Sequence, residues 1–407
     1  MDDILVEILS RLPVKSLLRF KCVSKFWKTL ISQSYFKKKH LNHSKNQLCS
    51  QKLLFLKWGP NSDCHFWSSS LSLVQLVTDA RIFDCPLNSD PSKGIKVYCS
   101  CDGLVLIGIW SHRHVEQPSI LLIWNPSTRE SILLPHSKFS LQMGHDTNTG
   151  DDDEDMGDDS NNSGIDEDFT NVEEDYAGCT YGLAYDPISD DYKVFMINMF
   201  RPDDNEIFAL KNNASWRIID HKISGRTDSS MLTGREYLPF VHGAFHWIGM
   251  LSRFCVFSFN ISDEMYGEIS LPEIVCCLTL SKSEVEVEVD VGVSLLGGML
   301  SVYCKDENFF ILWVMKDYDV KDSWTNLFII PISTWVYRII PTYMFSDDVV
   351  LLCFDHHYEV KPDYLYRVIF SGAFGLSDRM WPLDGAVTID EDGCVYTESL
   401  MSSRLGY

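Results

Sequence analysis

Ile4-Leu5-Val6-Glu7-Ile8-Leu9-Ser10-Arg11-Leu12-Pro13-Val14-Lys15-Ser16-Leu17-Leu18-Arg19-Phe20-Lys21-Cys22-Val23-Ser24-Lys25-Phe26-Trp27 sets large apolar residues at helical spacing. They fall at Leu5, Ile8, Leu9 and Leu12, then at Leu17, Leu18 and Phe20, then at Val23, Trp27, Leu30 and Ile31. This is the period of amphipathic helices. Pro13 stops the first helix and is suited to begin the second, because a proline in a first turn gives up no needed hydrogen bond. Three helices of about ten residues have too little interior to bury so many large side chains among themselves. Part of this apolar surface is therefore expected to dock on a partner.

The string from Leu9 to Trp27 resembles the F-box, the helical motif that docks a protein onto the Skp-type adaptor of cullin-based ubiquitin ligases. Its wording around Lys15-Ser16-Leu17-Leu18-Arg19-Phe20-Lys21-Cys22-Val23-Ser24-Lys25 resembles plant F-box proteins in particular. The likeness covers residues 1–45, with Met1-Asp2-Asp3 where the family carries a Leu-Pro pair and an acid. An acid there can still cap the first helix and complement its dipole. The resemblance implies an adaptor contact through Leu9, Leu12, Pro13, Leu17, Leu18, Val23 and Trp27, and through the adaptor a cullin scaffold.

Beyond residue 45 the pattern changes to short β-branched and aromatic runs bounded by turn residues, at 53–56, 103–107, 119–124, 192–197, 245–248 and 309–314. A local unit recurs. Trp124-Asn125-Pro126-Ser127-Thr128-Arg129 and Tyr185-Asp186-Pro187-Ile188-Ser189-Asp190 each pair an aromatic with an Asx-Pro turn, and Phe259-Asn260-Ile261-Ser262-Asp263-Glu264 is a looser copy. Gly243-Ala244-Phe245 and Leu296-Gly297-Gly298-Met299 read as glycine turns entering strands. Repeats every 40 to 60 residues predict a kelch-like β-propeller of about six to eight blades, with a large β-sandwich as the alternative. The expected architecture is α+β and multidomain: a small helical F-box followed by a large all-β domain over residues 50–400. The order Asn-Pro-Ser-Thr-Arg, Tyr-Asp-Pro, Gly-Ala-Phe-His-Trp and Asp-Ser-Trp-Thr along the chain is similar to the F-box-associated domain of plants, including the S-locus F-box group.

The formal charge of −22 is unevenly spread. Residues 1–46 carry ten Lys or Arg against three acids, whereas residues 146–175 hold fourteen acids and no Lys or Arg. That segment supplies −14, leaving −8 for the rest. It is too poor in apolar residues to order itself, and is expected to be a solvated, disordered insert in the β domain or a contact for a basic partner. The overall acidity argues against general nucleic-acid binding. No apolar run approaches the roughly eighteen residues of a membrane helix. Thirteen cysteines without a framework fit reduced thiols in a cytosolic or nuclear protein.

Catalytic spacings are missing from the sequence: it holds no Gly-x-Ser-x-Gly elbow, no phosphate-binding glycine loop and no His-Glu-x-x-His. Cys99-Ser100-Cys101, Cys276-Cys277 and His356-His357 lack zinc spacing. The expectation is a non-catalytic receptor without metal or cofactor. Its F-box would dock the adaptor and its β domain would bind a protein target for ubiquitination. Within the S-locus branch, the resemblance implies a basic target of the pistil S-RNase kind and a role in self-incompatibility. A non-degradative propeller scaffold or glycan-binding module is the competing reading.

Overall fold

In a computed structural model of the chain, the structure describes residues 2–58, 64–71, 81–83, 94–110, 117–137, 179–198, 204–211, 215–220, 237–250, 254–272, 290–332, 336–346, 349–356, 365–370 and 391–402, with isolated residues between. The acidic segment 146–175, Cys276, Cys277 and His357 lie outside the described residues.

Four helices open the chain: α1 (Asp2–Leu9), α2 (Val14–Phe20), α3 (Lys25–Ser32) and α4 (Ser34–Lys45). The apolar spacing predicts three of them. α1 ends at Leu9, and Pro13 caps α2 from outside, its carbonyl accepting from the backbone N–H of Ser16 and Leu17. Ser24 caps α3, its hydroxyl accepting from the Trp27 N–H at 3.3 Å. The overlooked α4 has a weak apolar pattern, because its buried Phe36, His40, Leu41 and Ser44 alternate with lysines.

All described strands pair antiparallel, in six sheets. The first sheet holds β1 (Gln51–Trp58), β2 (Cys64–Ser70) and β3 (Arg81–Phe83). The second holds β4 (Ile95–Cys101), β5 (Leu104–Ile109), β6 (Ile120–Asn125) and β7 (Glu130–Leu133). The third runs β8 (Cys179–Asp186), β9 (Asp191–Asn198), β10 (Glu206–Ala209) and β11 (Arg217–Ile218). The fourth runs β12 (Phe240–Val241), β13 (Ala244–Met250), β14 (Phe254–Asn260) and β15 (Tyr266–Ser270). The fifth has β16 (Asp290–Leu296), β17 (Met299–Lys305), β18 (Phe309–Met315) and β19 (Trp324–Pro331). The sixth has β20 (Val336–Ser346), β21 (Val349–His356) and β22 (Leu365–Phe370). Strand β23 (Glu391–Thr397) returns to the first sheet and pairs with β1 along Gln51↔Thr397 to Leu54↔Cys394. The two ends of the domain thus share one sheet, which removes an open seam.

The core is divided among the junctions between neighbouring sheets, as a propeller requires and a two-layer sandwich does not. Leu54 and Tyr396 meet Val105 and Trp124 between the first and second sheets. Leu106 and Ile123 meet Tyr181 and Met196 between the second and third. Phe195 stacks on Phe259 of the fourth sheet, ring centroids 4.4 Å apart. Val256 meets Val302, Leu312 meets Leu352, and Leu351 meets Phe55, which closes the circle.

The turn chemistry is as the residues suggest, with one difference of position. The Asn125 and Asn260 carboxamides each accept two backbone N–H groups, at 2.8 and 3.3 Å and at 2.9 and 3.5 Å, in the turns joining the third and fourth strands of their sheets. Asp186 makes the same turn, accepting from the Ile188 N–H at 3.0 Å, but between the first and second strands. The three share a local motif and not one place in a repeat. Two-residue turns with positive φ throughout, Asp102-Gly103, His242-Gly243 and Gly297-Gly298, join first to second strands elsewhere.

Antiparallel order sends the turns between strands one and two, and three and four, to one face of the ring. Links between strands two and three, and from sheet to sheet, leave from the other. The helices enter at Gln51 beside Thr397, on the first face.

Candidate adaptor-binding surface and the joint that carries it

The helical module has an interior of its own. Val6, Leu9, Val14, Leu17, Leu30, Ile31 and Phe36 form one buried cluster, and Leu400 from the far end of the chain completes it. Leu9 and Leu17, two of the expected contact residues, are 4% and 0% exposed and lie in this core. Phe36 of α4 and Leu400 cover a face that three helices alone would leave open. Leu12, Leu18 and Trp27 are half-buried against the same cluster. Pro13 and Val23 are exposed, Val23 by 67%.

Further apolar side chains reach solvent beside them: Ile4, Ile8, Phe20 and Phe26 are 68%, 56%, 36% and 52% exposed. Phe20 stacks on Trp27 at 5.7 Å, and Phe26 meets Trp27 edge-on at 5.9 Å, so three aromatics form one patch. The available signal was that Ile4 and Ile8 lie one turn apart, so the first helix is apolar on more than one face. A small soluble module does not expose this many large apolar groups without a function for them.

The module is seated on the propeller by α4. Lys38 Nζ lies 2.5 Å from Asp190 Oδ1 in the β8–β9 turn, and Lys45 Nζ lies 2.5 Å from Asp102 Oδ1 in the β4–β5 turn. Asp102 also accepts from the Tyr192 hydroxyl at 2.8 Å. Leu41 enters the core between the second and third sheets, next to Met401. His40 is 1% exposed, its Nε2 donating to the Leu12 carbonyl at 3.0 Å, which ties α4 to the α1–α2 turn. Burial pushes its imidazole pKa down and favours this neutral form. Residues 399–401 act as a clasp. The Ser399 hydroxyl donates to the Asp102 carbonyl at 2.7 Å, and the Asn125 amide donates to the Met401 carbonyl at 2.7 Å.

A groove of about 320 Å³ between the third and fourth sheets opens on this face, lined by Asp191, Lys193, Lys211, Arg217 and Glu264 among others. Its cations are already engaged: Lys193 pairs with Asp186 at 2.8 Å, Lys211 with Asp190 at 2.9 Å and Arg217 with Glu264 at 2.5 Å. Burial would raise the Asp186 carboxyl, but bonds from Lys193, Ser189 and Ser262 outweigh it and hold the group well below the usual carboxylate range. Arg217–Glu264 and the Ser262–Asp186 bond join the third and fourth sheets, and the other two pairs lie within the third. Among the described residues no group of three His, Cys, Asp or Glu is placed to hold a metal ion, and nine cysteines form no disulfide.

The opposite face carries the roots of the acidic segment. Ser137 donates to the Gln117 carboxamide oxygen at 3.0 Å, and the Gln117 amide donates to Cys179 Sγ at 3.5 Å. The two ends are thereby held together between the second and third sheets.

Comparison with known proteins agrees with both parts. Residues 2–39 match the F-box domain model, and residues 61–360 match the model for the F-box associated beta propeller domain. An F-box/kelch-repeat protein of Arabidopsis thaliana is 27% identical over 98% of this chain and 94% of its own length. F-box protein CPR1 of the same plant is 26% identical over 80% of this chain and 71% of its own.

Proposed function

Because the chain belongs to the family of F-box proteins with an F-box associated beta propeller domain, we propose that it is the non-catalytic substrate receptor of a Skp–cullin–F-box ubiquitin ligase. The observation that carries this is the uncovered apolar surface of Ile4, Ile8, Pro13, Val23 and Phe26 on a module whose own core is complete. That surface takes the Skp-type adaptor, and the adaptor brings the cullin. The half-buried Leu12, Leu18 and Trp27 contribute their exposed edges. Chemistry then occurs on the ligase partners, and this chain supplies proximity by holding a target near the conjugating enzyme.

The target side of the proposal rests on placement. α4 and the clasp occupy the face of the first-to-second-strand turns over the second and third sheets, which leaves the opposite face for a target. The acidic segment is rooted there, so a basic protein is the target class it favours. A pistil ribonuclease, as in the S-locus resemblance, is the most specific form of that proposal, and the cytosol with the nucleus is the compartment proposed. Tagged protein purified from plant cells should bring down a Skp-type adaptor and a cullin in near-equal amounts. Purification of folded protein with neither would contradict the reading.

A further inference from the structure

Ten Lys and Arg lie in residues 1–46, and they divide cleanly by role. Four are engaged: Arg11 and Lys39 hold Glu7, both at 2.7 Å, while Lys38 and Lys45 hold the propeller. The other six, Lys15, Arg19, Lys21, Lys25, Lys28 and Lys37, make no ion pair among the described residues. Between Glu7 and Asp63 the sequence has no acid, and Glu130 at the start of β7 offsets Lys21 only in part.

Five of the six are on α2, α3 and the turn between them, the same elements that carry Phe20, Val23, Phe26 and Trp27. Partial burial, then the charge of Lys37 and, less, that of Lys28, pushes the Lys21 ammonium pKa down against an upward pull from Glu130, so like charges are gathered here at an electrostatic cost. Folding alone does not call for that arrangement, since the cations that secure the module are the other four. An apolar centre with a charged rim is the ordinary anatomy of a protein docking surface.

Resting on the adaptor reading above, we propose that the aromatic patch Phe20–Trp27–Phe26 with its cationic border is a steering surface whose occupant is an acidic docking face of the Skp-type adaptor. Excess charge on one partner is relieved by opposite charge on the other, and such complementarity acts chiefly on the association rate. A membrane surface is less well matched, because the apolar groups span two helices and a turn and do not form the single stripe of an interfacial helix.

The test compares the full chain with Lys21→Gln/Lys28→Gln/Lys37→Gln. Neutralisation removes like-charge repulsion, so this variant should melt no lower than the parent. Association with a purified plant Skp-type adaptor is followed by stopped flow from about 50 to 500 mM NaCl. The expected result is a rate lower by about tenfold at the lowest salt, with a flatter salt slope and a dissociation rate within about twofold. Capture by both proteins with equal association rates and equal salt slopes would overturn the steering proposal and leave the adaptor reading standing. No capture by the parent at any salt would overturn both. Charge-dependent binding to vesicles of 30% phosphatidylserine in phosphatidylcholine, or self-association of the protein alone at low salt, with an unchanged adaptor rate, would assign the surface to another occupant and overturn it as well.

Discussion

Gly103 carries φ +82° in the turn between β4 and β5, and a Cβ there would strike the Thr397 carbonyl and the Ser399 side chain. The backbone of the turn thus lies directly against the clasp, a proximity only glycine permits. Gly103→Ala is expected to cost about 2–4 kcal/mol through strain and overpacking, read as a lower denaturation midpoint in urea; an unchanged midpoint would contradict this packing. His246 is a second position where a single group decides an outcome. It is 0% exposed, its Nε2 2.8 Å from the Tyr318 hydroxyl, and burial lowers its pKa from 6.5 to about 4. The folded state favours the neutral ring, so this contribution is complete above about pH 6.5 and is lost as pH falls toward 4. The stability advantage of the parent over His246→Asn should therefore shrink between pH 7 and 4.5. Melting curves at five pH values check this, and a constant difference would show that the ring does not titrate in that window.

At the scale of elements, the joint between helices and propeller depends on α4 and on residues 399–401. Leu400 is 2% exposed inside the helical cluster although it follows the last strand. Leu400→Ala should remove about 2–4 kcal/mol from that cluster and little from the sheets. Limited proteolysis should then cut faster near residues 46–50, while the main melting transition shifts by no more than a few degrees. Unchanged protection of that connection would show that the clasp does not hold the module. Leu400 also marks where sequence reasoning stopped. The first three helices, the glycine turns and the strands at 53–56, 103–107, 119–124, 192–197, 245–248 and 309–314 are legible because each is specified by local periodicity or turn residues. The resemblance implies Leu9 and Leu17 as contact residues, and helical spacing reveals their apolar face without revealing what covers it. The cover came from α4, masked by its lysines, and from a residue almost four hundred positions away. The ion pairs Lys38–Asp190 and Lys45–Asp102 carry no sequence signal at all, since their partners meet only after the ring has closed.

For the whole molecule, the account places the adaptor surface on one side of the ring and the root of the acidic segment on the other. Replacing residues 146–175 by a short Gly/Ser linker should leave the melting temperature within a few degrees, because Ser137, Gln117 and Cys179 already hold the two ends together. Adaptor capture should be equally unaffected, and a collapse of folding would show that the segment is structural. The central claim is that the exposed apolar groups of the helices exist for the adaptor. Its most direct measurement is the dissociation constant of a purified plant Skp-type adaptor for the full chain and for Val23→Asp/Phe26→Asp, whose side chains are 67% and 52% exposed. The account predicts saturable one-to-one binding by the parent and a loss of about 2–4 kcal/mol, some thirtyfold or more, in the variant, at an unchanged melting temperature. Equal affinity in both proteins, or no binding by the folded parent, would contradict it.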